Sequence, residues 1–392
     1  MIPKINPRYL FLALNSPQLK HQIDSSVVGS TQKTLSLKAI SNLEIPRFDR
    51  QTEDFIADAC GQLDDKIQLN HQINQTLEQI AQAIFKSWFV DLEPVKAKIA
   101  TLEAGGSEEG ALLAAMQAIS GTSLLDADAS ATGASEKLAR LQADQPEQYA
   151  ELRATAELFP SAMQDSELGE IPEGWGITRT EELSEKIAMG PFGSNIKVST
   201  FVSCGVPIIS GQHLKETLLS DRNNKFITEE HADRLRNSNV YPGDIIFTHA
   251  GTIGQVSLIP EEAEYSRYVI SQRQFYLRVD KKKASPNFML YFFRSYLGQH
   301  LLLANASQVG VPSIARPSSH LKNIEFVSPS FELMQCFETI SKSLLSMAVS
   351  MRNESQRLTA LRDALLPKLL SGELSIPDAE TYLAEAEETA NV

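Results

Sequence analysis

A stretch of this 392-residue chain recurs near its other end. Residues Gly29 to Ile45 (GSTQKTLSLKAISNLEI) realign on Gly310 to Phe326 (GVPSIARPSSHLKNIEF) at an offset of 281, so that Gly29 meets Gly310, Asn42 meets Asn323 and Glu44 meets Glu325. The offset carries on into helical positions: Leu63, Leu77, Ile80, Ala83 and Ile84 fall on Leu344, Leu358, Leu361, Ala364 and Leu365. Two copies of one module, a domain tail followed by a long helix, each carry an apolar stripe that needs covering. Only the second copy follows the body of a globular domain. The expectation is a duplicated architecture with its first lobe largely missing.

The residues before the first long helix read as a helix over Pro7 to Ile23, a loop through Ser25 to Thr34 and a strand near Leu43. A helix is expected from about Gln51 to Phe89, ended by Asp91-Leu-Glu-Pro94 because proline lacks the amide donor. Its heptads place Ile56, Leu63, Asn70, Leu77 and Ile84 on one seam, with Ala59, Lys66, Ile73, Ile80 and Ser87 beside it. The second helix repeats this with Phe337, Leu344, Met351, Leu358 and Leu365, flanked by Ile340, Met347 and Leu361. Two helices on separate cores would also bury such stripes, but the matched length, register and preceding tail favour helices that pack on each other, with Asn70 helping to fix register. A helix of about 35 to 40 residues is about 50 to 60 Å long, a rod able to hold two lobes apart.

Charge is distributed unevenly. Residues 91 to 175 hold 5 Lys or Arg against 16 Asp or Glu, and residues 373 to 392 hold none against 6. Residues 176 to 330 carry 17 basic and 14 acidic side chains. The overall charge of −13 therefore lies in linkers and tail, outside a mildly basic lobe. Residues 101 to 135, rich in Ala, Gly and Ser, read as an inserted helical hairpin or linker rather than a core. No apolar run reaches the roughly 18 residues of a membrane span, and the N-terminus has no signal-peptide core; a cytoplasmic protein is expected. Cys60, Cys204 and Cys336 are scattered, without the spacing of a disulfide framework or a metal site.

From Gly176 to Pro329 the pattern changes to short strands, expected at Val206 to Ser210, Asp244 to His249, Gly254 to Ile259 and Val269 to Val279, with a helix from the Ser285-Pro286 cap to about Ala304. This is a mixed α/β lobe. Its glycine-bearing turns stand out: 189 to 194, 210 to 213, 248 to 254 and 308 to 313. Catalytic signatures are absent, with no phosphate-binding Gly-x-x-x-x-Gly-Lys, no Gly-x-Ser-x-Gly and no His-Glu-x-x-His. The polar groups at the turns suit DNA better, and Lys197, Lys215, Arg222, Lys225, Arg234, Arg236, Arg267, Arg273 and Lys281 to Lys283 supply cations for phosphates. Arg273 beside Gln272 and Gln274 offers the side chains that read guanine and adenine edges. For any one residue a solvated surface position is the competing reading. Candidate contacts are Ser194, Asn195, Lys197, Gln212, His213, Lys215, His249, Thr252, Arg273, Gln274, Gln308 and Ser313.

Taken in order, these segments resemble the specificity subunit of type I restriction-modification systems over nearly the whole chain. Gly61-Gln-Leu-Asp-Asp-Lys-Ile67 through Phe85-Lys-Ser-Trp-Phe-Val-Asp91 is similar to that family's central spacer helix, and Leu361 to Leu374 to the end of its distal one. Asp165 to Trp175 resembles the start of a target recognition domain, and Gly190 to Ser194, Gly243 to Ile246, Gly251 to Gly254 and Ser271 to Gln274 its recurring turns and strands. The resemblance implies an α+β chain: a mixed α/β target recognition lobe plus two long antiparallel coiled-coil spacer helices. It divides the chain into a remnant tail (1–46), a central helix (47–94), an acidic Ala/Gly-rich insert (95–160), a complete recognition domain (161–330), a distal helix (331–374) and an acidic tail (375–392).

It further implies a non-catalytic reader of double-stranded DNA that directs adenine methylation and restriction by partners. S-adenosylmethionine would belong to methyltransferase subunits, ATP and Mg to a motor and nuclease subunit, and no cofactor or metal to this chain. Self-association or pairing with another truncated specificity subunit would supply a second lobe. The alternatives are the specificity module of a type IIG-like methyltransferase and nuclease, or a coiled-coil scaffold without DNA.

Overall fold

The structure, a computed structural model, describes residues 5–28, 34–123, 131–307 and 309–382. In chain order the helices are α1 (Pro7–Asn15), α2 (Pro17–Ser26), α3 (Leu37–Ser41), α4 (Arg50–Phe85), α5 (Glu93–Glu103), α6 (Glu108–Ser123), α7 (Ala131–Asp144), α8 (Pro146–Glu157), α9 (Glu229–Arg234), α10 (Pro286–Arg294), α11 (Tyr296–Leu303), α12 (Pro317–Lys322) and α13 (Phe331–Ser371). The strands are β1 (Met163–Ser166), β2 (Gly169–Pro172), β3 (Gly176–Arg179), β4 (Ser184–Met189), β5 (Val206–Ile209), β6 (Lys225–Ile227), β7 (Asn239–Val240), β8 (Ile245–Thr248), β9 (Val256–Leu258), β10 (Tyr268–Ile270), β11 (Gln274–Val279), β12 (Ala306–Ser307), β13 (Ser313–Ile314) and β14 (Glu325–Ser328). They form two compact units, Met1–Thr76 with Ala348–Val392, and Leu77–Met347. Both long helices contribute to both units.

In the first unit α4 and α13 run antiparallel. Ile56, Ala57 and Cys60 pack with Leu365, Leu366, Leu369 and Leu370. Further along, Arg362 Nη1 donates to Asp64 Oδ1 (2.6 Å), and Asn70 Nδ2 to Glu354 Oε2 (2.7 Å). Tyr9, Leu12 and Ala13 of α1 complete this core. Burial raises the Tyr9 hydroxyl to about 12, and it donates to the Pro46 carbonyl oxygen. Of the seam residues here, Ile56, Asn70 and Leu365 are buried, and Leu63, Met351 and Leu358 are half-buried.

The second unit contains the other stretch of the same pairing. Leu77, Ile84 and Phe337 are buried and Leu344 is half-buried. The sequence sets Met347 beside the seam, but it is exposed. Over this stretch the buried stripe of α13 runs Met334, Phe337, Ser341 and Leu345, the drift of a straight 3.6-residue helix away from a strict heptad. Phe85 and Phe89 form an aromatic cluster with Phe288 and Phe337. Helix α4 passes into a π-helical turn at Lys86–Val90, Leu92 adopts a left-handed conformation, and Pro94 opens α5 instead of ending a helix.

Of the 101–135 stretch, residues 124–130 lie outside the described residues, and the rest belongs to a helical insert, α5 to α8, with α6 packed against both α5 and α8. Val95, Ala111, Leu112, Ala115, Met116 and Ile119 are buried, so the segment has its own core and is not a bare linker. Small residues on α6 allow that close approach.

The lobe that follows has two four-stranded sheets, in the orders β6-β5-β10-β7 and β4-β11-β8-β9. β5 and β10 are parallel, and the second sheet is antiparallel throughout. Helix α10 packs on β9 and β11, with Phe293 edge-on to Phe247 at 5.2 Å. Arg294 Nη2 donates to Glu78 Oε1 (2.7 Å), which also accepts from Thr217 Oγ1. The expected strand over Val269 to Val279 is two strands split at 271–273 by a tight turn, in which the Gln274 amide donates to the Ser271 carbonyl oxygen (3.1 Å).

The single helices expected over Pro7 to Ile23 and Ser285 to Ala304 are each two. Ser16 and Ser295 break them as N-caps that accept from the amides of Leu19 and Gly298. The repeat thus extends beyond its sequence signal: Asn6 and Ser285 cap α1 and α10, both of which start at proline. The Val28–Thr34 bridge matches the Ser307–Ser313 pair, and Asn42 and Asn323 terminate α3 and α12. No strand forms at Leu43; beside it the Glu44 amide donates to Gln22 Oε1 (3.0 Å), and Pro46 has no amide hydrogen.

Asn70 is buried in an otherwise apolar seam and its nitrogen serves a carboxylate. Asn70→Ala is expected to lower stability by about 1–2 kcal/mol, the loss of a charge-assisted hydrogen bond. The urea midpoint, compared with that of an exposed-site control such as Gln75→Ala, checks this.

Candidate nucleic-acid interface

Strand direction brings the glycine turns together. In the register of the second sheet, Met189 at the end of β4 lies opposite Phe275, and Thr248 at the end of β8 opposite Gln274. In the first sheet Ile209 at the end of β5 pairs with Ile270 at the end of β10. Four strands therefore end, and β11 begins, at one rim of the lobe.

Backbone hydrogen bonds link the turns that leave this rim. Gly190 N–H donates to the Gln274 carbonyl oxygen (2.8 Å), His249 N–H to that of Arg273 (2.9 Å), Gly251 N–H to that of Pro312 (2.9 Å) and Ile314 N–H to that of His249 (2.8 Å). A side chain at Gly190 would collide with the Ser271 carbonyl oxygen, so glycine is required for this approach. Gln255 spans two turns: it accepts from Thr248 Oγ1 (3.0 Å) and donates to the Gly211 carbonyl oxygen (3.0 Å).

The rim divides the candidate residues into two groups. Asn195, Lys197, Gln212, Lys215, Thr252 and Arg273 are exposed, and His249 and Ser313 half-buried. Asn195 Nδ2 donates to the Phe192 carbonyl oxygen (2.7 Å), while its own carbonyl oxygen meets His231 Nε2 (2.8 Å). Ser194 lies in the 3-10 turn Gly193–Asn195. Gln308 lies outside the described residues.

His213 and Gln274 do not present their side chains for base contact, because both are buried. His213 Nδ1 accepts from the Ser210 amide (2.9 Å), and Gln274 Oε1 accepts from Ser271 Oγ. Their role in this structure is to brace the turns from inside.

Cations also sort by partner. Arg267 is held by Glu229 and Asp233, Arg278 by Asp244 and Lys281 by Glu261. Among the described residues, Lys197, Lys215, Arg222 and Arg273 have no carboxylate at ion-pair distance, and all four sit on or beside the rim turns. Also among the described residues, no group of three or more His, Cys, Asp or Glu side chains has the geometry to hold a metal ion, and no helix is long and apolar enough to cross a membrane.

Over 376 residues the chain is 32% identical to the type I restriction enzyme HindI specificity subunit of Haemophilus influenzae, covering 94% of this chain and 77% of that protein. The chain belongs to the type I restriction enzyme specificity subunits. A family model described as the type I restriction modification DNA specificity domain matches residues 1–79. The MjaIX specificity subunit of Methanocaldococcus jannaschii is 21% identical over 388 residues, covering 96% of this chain and 72% of its own. A crystal structure of the type I restriction-modification S subunit from M. genitalium aligns with 92% of this chain and 72% of that chain, at a TM-score of 0.47 and 14% identity.

Two rim residues of this specificity subunit escape a reading based on polar turns. Phe192 is 73% exposed at the tip of the 190–195 turn, and the signal for it was present, since a phenylalanine in Gly-Pro-Phe-Gly has no regular strand to bury it. Gln255 has no such signal, because its bridging role depends on where the 210–213 turn lies.

Burial holds His213 below its ordinary value of 6.5. The unfolded turn therefore takes up a proton first, and stability from the neutral ring is lost as pH falls through 6.5 and below. Hydrogen exchange in residues 206–224, corrected for intrinsic rates, should accelerate by up to about tenfold per pH unit in that window, the linkage of one proton. His213→Gln is expected to abolish the pH dependence.

Proposed function

We propose that the rim of the 176–330 lobe is the surface through which this subunit recognises DNA sequence for a type I restriction-modification system. The observation that carries this reading is the convergence of the 190–195, 210–213, 249–254 and 271–273 turns on one rim, with Lys197, Lys215, Arg222 and Arg273 free of carboxylate partners. Phosphate contacts from lysines position a duplex, and base-edge contacts specify it. Arg273 suits the O6 and N7 acceptors of guanine, and Gln272 and Gln212 suit adenine. An exposed Phe192 adds an apolar surface able to meet a thymine methyl.

The chain performs no chemistry itself in this proposal and holds no cofactor. Partner methyltransferase subunits bind S-adenosylmethionine and methylate adenine N6, a motor and nuclease subunit uses ATP and Mg, and the long helices dock the methyltransferase. Pairing with itself or with another truncated specificity subunit supplies a second recognition lobe. The complex works in the cytoplasm, where its DNA is.

Co-expression with the neighbouring methyltransferase subunit in a host without other adenine methylation, followed by genome-wide mapping of N6-methyladenine, tests the reading. A defined motif is expected. Arg273→Ala should cost about 1–3 kcal/mol at its base pair and relax the motif at that position alone. Removing Lys197, Lys215 and Arg222 together should weaken binding to all sequences and flatten the salt dependence by about 0.9 per lost phosphate contact. Methylation of an unchanged motif by a variant with Lys197, Lys215, Arg222 and Arg273 all replaced by alanine would sink the rim assignment.

A further inference from the structure

Strand β3 is paired on one side only. Its partner is β14, in an antiparallel register that sets Thr178 opposite Phe326 and Arg179 opposite Glu325. One step further in that register, the Thr180 amide donates to the Ile324 carbonyl oxygen (3.0 Å). Opposed residues of an antiparallel pair alternate between hydrogen-bonded and non-hydrogen-bonded positions. Thr178 therefore turns its amide and carbonyl toward β14, and Ile177 and Arg179 turn theirs to the other side. Among the described residues, no strand pairs with that side of β3, and the main-chain N–H and C=O groups of Ile177 and Arg179 have no hydrogen-bond partner.

A groove of about 540 Å³ takes its lining from all four residues of β3, Gly176 to Arg179. The β1–β2 hairpin lines it too, through Gln164 and Ile171, which are opposed in the hairpin register. Gln164 fixes the hairpin in place: its Nε2 donates to the Trp175 carbonyl oxygen (2.8 Å), and its Oε1 accepts from the Gly174 amide (3.3 Å). The remaining lining is acidic. Glu325 is paired with Arg179 (2.9 Å), whereas Glu167 and Glu182 are exposed and, among the described residues, have no cation at ion-pair distance. An open strand edge is a template for a further strand, and extended segments are recognised by main-chain bonds of this kind together with side-chain contacts. The surplus carboxylates select a strand that carries cations and disfavour a phosphate backbone.

We propose that the groove beside β3 is a strand-addition site for a partner protein, which lays an extended segment bearing lysine or arginine against Ile177 and Arg179. The chain's own C-terminal stretch does not match this chemistry, because residues 373–392 hold six acidic side chains and no basic ones. The groove shares no residue with the rim turns, and the inference does not rest on the DNA reading above.

The test uses the full chain, isotope-labelled at isoleucine, threonine and arginine, with a capped peptide of about eight residues that alternates lysine with valine. At saturation the Ile177 and Arg179 amides are expected to exchange about tenfold more slowly, the worth of one net hydrogen bond. The Thr178 amide, already turned toward β14, should change little. Slowing of alternate amides is specific to strand addition; a peptide held by charge alone does not produce it. Glu167→Gln with Glu182→Gln should weaken binding by about tenfold, the loss of two exposed ion pairs, and a peptide alternating glutamate with valine should not bind. Both glutamates are exposed, so the variant is expected to fold as the parent does.

Failure of the lysine peptide to bind overturns the proposal, as does binding that leaves the Ile177 and Arg179 amides unprotected. Equal binding of the glutamate peptide, or an affinity unmoved by the double substitution, would overturn it as well by removing the basis for a cationic partner.

Discussion

The antiparallel pairing of α4 with α13 is the constraint on which the remaining structure depends. Neither helix is apolar enough to be stable alone in water, and helical stability in proteins comes chiefly from tertiary packing of an apolar face. In the first unit the pairing rests on Ile56 and Cys60 against Leu365 and Leu369. In the second it rests on Phe85 against Phe337. A short proline-started helix docks on it each time, α1 through Tyr9 and Leu12, α10 through Phe288 and Tyr291. Buried polar groups set the register along the way, with Asn70 facing Glu354 and Asp64 facing Arg362. Such groups contribute less stability than specificity of alignment.

The rim of glycine turns depends on a different principle. Its turns are irregular backbone, and their polar groups need partners. The structure meets this need by linking turn to turn: Gly190 to Gln274, His249 to Arg273, and Gly251 to Pro312. Buried His213 and Gln274 and half-buried Gln255 brace the turns from below. That division leaves Lys197, Gln212, Thr252 and Arg273 facing outward on a preorganised frame.

Much of the frame was legible before any coordinates. The repeat, the two long helices and the mixed lobe with its glycine turns all follow from periodicity and punctuation, because these are local signals. The helix breaks at Ser16 and Ser295 were not equally legible: Ser16-Pro17 carries the same cap-and-proline signal as Ser285-Pro286, whereas Ser295, followed by Tyr296, gives no such sign until its side chain is seen capping the next turn. The split of the 269–279 strand comes from a tight turn closed by the Gln274 amide on the Ser271 carbonyl oxygen, and Ser271-Gln-Arg-Gln274 holds no glycine or proline to announce it. The core of the 93–157 insert was hidden by composition: alanine and glycine suggest a linker, yet small residues also let helices approach closely.

By itself, the sequence determined the element types, the heptad seam, the site of charge and the polar turns, all properties carried by residues within a few positions of each other. Tertiary structure decided which of those turns share a rim, which of their side chains face water, and which edge of β3 stays unpaired. Strand order and register bring together residues as distant as Gly190 and Gln274, and burial then assigns His213 and Gln274 to the interior and Arg273 to the surface. Only the packed chain contains those distances, because they are set by the pairing of segments far apart in sequence.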